Sequence, residues 1–236
     1  MPQSDGGAGR QSNESGASAP GGAGRQSNKS GALTLVIGTR RYSSWSLRPY
    51  LALKAANAIF DEVEIALRQP TTGAAIAAHS PSGKVPVLRH GMHVVWDSLA
   101  ICEYVAELFP EAGLWPQESR ARSVARSVSA EMHAGFPTLR SACSMDMCVT
   151  TPLDDIPQAL AAEIARIDAL WADCRARFGQ GGPFLFGAFT IADAMYAPVV
   201  SRITTYRLPI SKAGRDYCDA VWALPAMIAW RDTACA

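Results

Sequence analysis

The 236-residue sequence has almost no net charge: 22 lysines and arginines stand against 21 aspartates and glutamates, a balance of +1 at pH 7. The first 32 residues supply that charge alone, through Arg10, Arg25 and Lys29 against Asp5 and Glu14, so the remaining body is balanced at 19 against 19. A balanced body lacks the basic footprint that nucleic acid or an anionic membrane surface requires, and a small or neutral partner is expected. No run of about 18 apolar residues is present, so no membrane span is expected. The N-terminus has no apolar stretch of the secretory type, which makes a cytoplasmic location the expectation. The six cysteines, Cys102, Cys143, Cys148, Cys174, Cys218 and Cys235, form no CxxC pair and no dense cluster. They are expected to be reduced, packed thiols, with neither a disulfide framework nor a metal site.

Residues 1–32 lack aromatic side chains altogether and hold eight of the 19 glycines. Residues 6–20 and 21–35 repeat each other with a period of 15, most closely over their first twelve positions. Such Gly/Ser/Asn-rich sequence cannot bury enough apolar surface to offset chain entropy, so a disordered tail is expected over 1–32.

What the body does have is 48% hydrophobic residues across the whole chain, concentrated after residue 32 and patterned in two ways. Leu33–Ile37 reads as a buried strand ended by Gly38, and residues 44–57 read as a helix that Ser43 or Ser44 can cap. Residues 62–67 alternate as a second strand, and 71–79 read as a short helix. Residues 85–88 and 92–95 flank Arg89-His90-Gly91 as a hairpin. Asp97 or Ser98 caps a helix running to Leu108. The order β-α-β-α-β-β-α places Pro86 at a strand start, where a missing N–H costs no ladder bond, and marks the Val85–Pro86 peptide as a candidate cis bond. Residues 110–117, with two prolines and a glycine, read as a linker. From 118 to 236 the pattern is helical: Val124, Val128, Met132, Phe136 and Leu139 mark one face of a long helix, and Leu160 to Cys174 mark another. Thr190 and Asp193 form a capping-box variant ahead of an apolar helix. Residues 213–222 and 224–232 give two closing helices.

The strand order, with a valine-proline before the third strand, is the thioredoxin-like arrangement, and an all-α domain follows it. Four stretches make residues 33–232 resemble the cytosolic glutathione transferases: Tyr42-Ser43-Ser44-Trp45-Ser46-Leu47-Arg48, Gly83-Lys84-Val85-Pro86-Val87-Leu88, Asp97-Ser98-Leu99-Ala100-Ile101, and Phe189-Thr190-Ile191-Ala192-Asp193. The first looks like the serine motif of the zeta class, whose members include maleylacetoacetate isomerases. Trp45 departs from that class, which usually carries a cysteine there linked to isomerisation. The resemblance implies a thioredoxin-like glutathione-binding domain over 33–109 and a helical substrate-binding domain over 118–236.

Glutathione needs its thiol ionised, its peptide backbone aligned and its γ-glutamyl end held. The resemblance points to Ser43 for the first task, as a hydroxyl at a helix N-terminus able to donate to a thiolate, with Ser44 next and Tyr42 third. Ser44 and Trp45 would border the bound tripeptide. The Val85 backbone beside a cis Pro86 would pair with the peptide like an added strand, and Lys84 would reach a carboxylate. Asp97 and Ser98 at a helix N-terminus would hold the γ-glutamyl group. His133 and Phe136 are candidates for the electrophile site, while Thr190 and Asp193 read as structural. The implied activity is addition of glutathione to small hydrophobic electrophiles, in a homodimer without metal. A glutathione-dependent isomerase and a non-catalytic interaction protein of the same fold are the alternatives. Each serine and each acid in these motifs also has the plainer reading of an ordinary helix cap.

Overall fold

A computed structural model describes residues 31–236 of the chain, so the expectation for the tail falls almost wholly outside the described residues. Strand β1 (Leu33–Gly38) lies at the centre of the first half. Its side chains alternate between two faces, as a pleated strand requires. Leu33, Leu35 and Ile37 join the large core shared with the helices, whereas Val36 joins Ile65, Ile76 and Val87 in a smaller cluster. Helix α1 (Ser44–Ala55) crosses over to β2 (Phe60–Ile65), which pairs parallel with β1. After the short helix α2 (Thr72–Ala77), the hairpin β3 (Val87–His90) and β4 (His93–Val95) adds antiparallel strands. The sheet order is β2-β1-β3-β4. Gly91 turns the hairpin at φ +58°, a left-handed conformation that costs a residue without Cβ little. Helix α3 (Ser98–Leu108) closes this half. The Val85–Pro86 peptide is cis, as is Trp96–Asp97.

A 3-10 turn at Pro110–Ala112 lies within the expected linker. Six helices follow: α4 (Ser119–Ala134), α5 (Pro137–Ala142), α6 (Gln158–Phe178), α7 (Ile191–Tyr206), α8 (Lys212–Trp222) and α9 (Pro225–Cys235). The fold is a thioredoxin-like domain followed by a helical one.

The long helix expected through Leu139 is in fact two. Pro137 disfavours the helical region for the residue before it, and Phe136 takes φ +59°. Helix α4 therefore stops at Gly135, and α5 starts at Pro137. The Arg140 side chain reaches back across the break, donating from Nε to the Gly135 carbonyl at 2.9 Å and from its other end to the Met132 carbonyl. It thereby satisfies acceptors that the end of α4 leaves free.

The cysteines also need a correction. Cys102, Cys143, Cys174 and Cys218 are free and buried, but Cys148 and Cys235 form a disulfide. Helix α9 packs against α1, with the Trp230 and Tyr50 ring centroids 4.8 Å apart, and Cys235 at its end meets Cys148 after α5. A sequence separation of 87 residues carries no sign of that approach.

Helix α7 is the axis of the helical half, with every residue buried except Thr204 and Tyr206. The Asp193 carboxylate, in its first turn, accepts from the Thr190 N–H at 2.8 Å, the Thr190 hydroxyl at 3.0 Å, the Leu185 N–H at 3.1 Å and the Tyr217 hydroxyl at 3.1 Å. This is the capping box read from the sequence, extended to two further donors. Burial pushes the Asp193 carboxyl up to about 6, although those hydrogen bonds pull it down.

Removing the carboxylate strands buried donors, so Asp193→Ala should cost about 3 kcal/mol or more in denaturant unfolding. The pH dependence has a defined sign. A carboxyl whose folded pKa lies above its unfolded one favours the folded state when protonated. Relative to Asp193→Asn, the wild type should lose stability as pH rises from about 4 through about 6, and should change little above that. Parallel unfolding curves across this range would contradict the assignment.

Candidate active site

A cavity of about 490 Å³ opens where the start of α1, the segment before β3, the start of α3 and the end of α4 meet. Trp45, Lys84, Val85, Pro86, Asp97 and Ser98 line it together with His133. Ser82 and Trp96 complete the wall and were not singled out from the sequence. Each is within two positions of a motif residue, and that adjacency is the only signal that could have found them. Ser43, Ser44 and Phe136 are not wall residues. Phe136 is 6% exposed and packs in the core, and both serines are buried at the foot of α1.

Ser43 is the N-cap residue of α1, yet its side chain makes no capping bond. Its Oγ lies 2.7 Å from Ser46 Oγ, which accepts from the Gly38 N–H at 3.2 Å. Either hydroxyl of the pair can be the donor, and when Ser46 donates the Ser43 proton is free to point elsewhere. The turn leading into Ser43 is held from both halves, and on the sheet side the Arg40 N–H donates to Glu64 Oε1 of β2 at 3.1 Å. The Arg40 carbonyl accepts from Trp230 Nε1 at 3.1 Å, and the Arg41 guanidinium makes two 2.8 Å bonds to Asp146.

The Trp45 ring meets two guanidinium groups and an imidazole. The Arg48 guanidinium lies 4.3 Å from its ring centroid, Arg140 lies 4.7 Å away, and the His133 ring meets it edge-on at 5.1 Å. Arg48 is fully buried and donates from Nε to the Met195 carbonyl at 3.2 Å, while its two terminal nitrogens have no hydrogen-bond partner among the described residues. Burial, reinforced by the nearby charges of Arg140 and Arg202, pulls its pKa well below the ordinary guanidinium value.

Asp97 divides its carboxylate between two tasks. Oδ1 caps α3 by accepting from the Leu99 N–H at 3.2 Å, and Oδ2 lies 3.1 Å from His133 Nε2. The Ser98 hydroxyl and His133 Nδ1 are buried without a hydrogen-bond partner among the described residues. The cavity thus combines a helix N-terminus with a spare hydroxyl, a carboxylate, an imidazole, a rim ammonium at Lys84 and the backbone of Val85. Such a set can hold a small zwitterionic peptide. Among the described residues no group of three or more His, Cys, Asp or Glu side chains is placed to hold a metal ion. No described helix is long and apolar enough to cross a membrane. A larger groove of about 620 Å³, against Tyr50, Lys54, Leu224 and Ala229, has Lys54 as its one charged wall residue and no acid–base pair.

The sequence matches the model of the glutathione S-transferase N-terminal domain over residues 42–108 and that of the C-terminal domain over residues 157–233. It is 28% identical over 130 residues to protein IN2-1 homolog A of Oryza sativa subsp. japonica, covering 55% of this chain and 49% of that one. It is 30% identical over 102 residues to a probable maleylacetoacetate isomerase of Caenorhabditis elegans, covering 43% and 47%. The chain therefore spans about half the length of these curated relatives. A glutathione transferase homolog from Burkholderia, solved with bound glutathione, superposes with a TM-score of 0.66 at 20% identity, covering 86% of this chain and 97% of that one. Two domain models of one family, matched in order on the two halves that the fold builds, place the chain in the glutathione S-transferase family.

Proposed function

We propose that the chain binds glutathione in the cavity between α1 and α3, ionises its thiol and transfers it to small hydrophobic electrophiles. The observation that carries this reading is the convergence of Lys84, Val85, Asp97 and the unpartnered Ser98 hydroxyl on one cavity beside the N-terminus of α1. Ser98 and the first N–H groups of α3 would take the γ-glutamyl carboxylate, as helix N-termini take anions. Asp97 Oδ2 would pair with the ammonium, exchanging it for His133. The Val85 N–H and C=O would pair with the peptide, and Lys84 would take the glycyl carboxylate.

The thiol would then lie near the foot of α1. The Ser43 proton, released by the Ser46 relay, and the positive end of the helix would favour the thiolate. Arg48 and Arg140 around Trp45 add positive potential from behind. Each unit by which the thiol pKa falls corresponds to about 1.4 kcal/mol. The thiol proton passes to solvent water, the thiolate sulfur forms a bond to the electrophilic carbon, and the displaced group leaves with the electron pair. His133, now free of Asp97, can give that group a proton. In this reading the protein is a cytoplasmic homodimer, and light scattering from a monomer would count against that part of it.

A second reading, glutathione-dependent isomerisation, draws support from the similarity to the nematode protein. It has to accommodate a tryptophan, clamped between Arg48 and Arg140, where zeta-class isomerases usually have cysteine. Isomerisation returns glutathione and transfer consumes it, so product analysis separates the two.

Glutathione should quench tryptophan fluorescence in the wild type, and the Trp45→Phe/Trp96→Phe double variant, which removes both wall tryptophans, should abolish most of that change. Absence of both quenching and retention on immobilised glutathione would point to a non-catalytic relative. Ser43→Ala should leave the melting temperature nearly unchanged and lower kcat/KM by about tenfold or more at neutral pH. The deficit should shrink at higher pH as solution ionisation of the thiol takes over. A pH–rate profile matching the wild type would remove Ser43 as the donor.

A further inference from the structure

The disulfide between Cys148 and Cys235 lies away from the cavity described above and has a cavity of its own. Cys148 lines a space of about 330 Å³ whose walls include Val149, Thr204, Trp222 and Arg231. That volume is at the lower end of those that hold small ligands. Trp222 Nε1 donates to Thr204 Oγ1 at 2.9 Å and fixes one wall. Arg231 supplies the wall's one cationic side chain. Its partner is the exposed neighbour Asp232, at 2.9 and 3.1 Å, a contact of little worth in water that another carboxylate can displace. Cys235 is exposed on the outer side of the bond.

The four free cysteines offer no competing target, because all are buried and burial pushes Cys102, Cys174 and Cys218 up to about 12. A small thiol therefore meets only one reactive pair among the described residues.

We propose that Cys148–Cys235 is a thiol-exchange site for a small carboxylate-bearing thiol, which becomes covalently attached at Cys148. The incoming thiolate occupies the cavity with its carboxylate on Arg231. Its sulfur attacks Cys148 Sγ, the bond between Cys148 and Cys235 breaks, and Cys235 leaves outward as a thiolate that water protonates. The product is a mixed disulfide at Cys148 and a free thiol at Cys235. A second thiolate attacking the small-thiol sulfur of that mixed disulfide releases Cys148 as a thiol and forms the disulfide of the small thiol. The reverse sequence, with that disulfide as oxidant, restores the bond. The exchange is independent of the transferase reading, since it uses neither Ser43 nor the cavity at α3.

The test uses the full-length, air-oxidised protein, with reduced glutathione as probe, acid quenching and mass mapping of cysteine peptides. The expected result is four thiols before exposure, then one glutathione on Cys148 with Cys235 free. With glutathione disulfide, Cys235→Ser should carry the adduct on Cys148, and the Cys148→Ser/Cys235→Ser double variant should carry none. Arg231→Ala should slow exchange with glutathione and leave exchange with cysteamine, which has no carboxylate, unchanged. Six thiols in the oxidised protein, an adduct confined to Cys235, adducts on the double variant, or equal slowing for both thiols would each overturn the proposal. The wild-type mapping needs no substitution and so holds even where a variant fails to fold.

Discussion

Helix α1 is squeezed from two sides, and the rest of the molecule is arranged around that constraint. Its residues Leu47, Tyr50, Leu51 and Leu53 belong to one core that runs from the inner face of β1 and β3 through α3 into α4, α6 and α7. A helix with a domain on each side has no solvent stripe along most of its length, and even Arg48 and Pro49 are buried. The first turn of α1 is therefore held by packing on both flanks. It is a rigid foot on which Ser43 and Trp45 sit, and rigidity of this kind is what a site for a developing thiolate requires.

The near-neutral charge of the body conceals an uneven interior. Arg48, Arg140 and Arg202 lie in or near the junction of the two halves and are held largely by carbonyl oxygens. Arg202 donates to the Cys143 carbonyl at 2.8 Å and to the Pro198 carbonyl at 3.1 Å. Carbonyls take some of the donors without cancelling the charge, leaving the terminal nitrogens of Arg48 unpartnered among the described residues, and burial and mutual repulsion push the Arg48 and Arg202 pKa values down. The positive potential left over is aimed at Trp45 and the foot of α1, where the proposed chemistry places an anion.

Much of this was legible in the sequence because the signals are local. The alternation of β2, the turn at Gly91, the Val85–Pro86 strand start and the Thr190–Asp193 box all act within a few residues. What was missed depends on contacts between distant segments. Nothing near Cys148 marks Cys235 as its partner, and nothing near Arg140 shows that its guanidinium both caps α4 and stacks on Trp45. Phe136 was misjudged for a different reason. Its spacing continues the face of α4, but Pro137 turns the Phe136 backbone to φ +59° and ends that helix. Ser43 was identifiable as a helix cap, but its bond to Ser46 in place of a capping bond could not be read from spacing.

The fastenings of the turn before Ser43 bear on motion. Arg40 is tied to Trp230 on α9, and Arg41 is tied to Asp146, whose carboxylate also accepts from the Cys148 N–H. Arg40 is tied to β2 as well, its N–H donating to Glu64 Oε1 at 3.1 Å and its guanidinium pairing with Glu62 and Glu64, so the turn is pinned to the sheet and to the helical half at once. Lys84 and Val85 lead into β3 of the same sheet. A rocking of the sheet against the helices would have to break one of the two sets of bonds at that turn, so the foot of α1 acts as a rivet that holds the two halves at one angle.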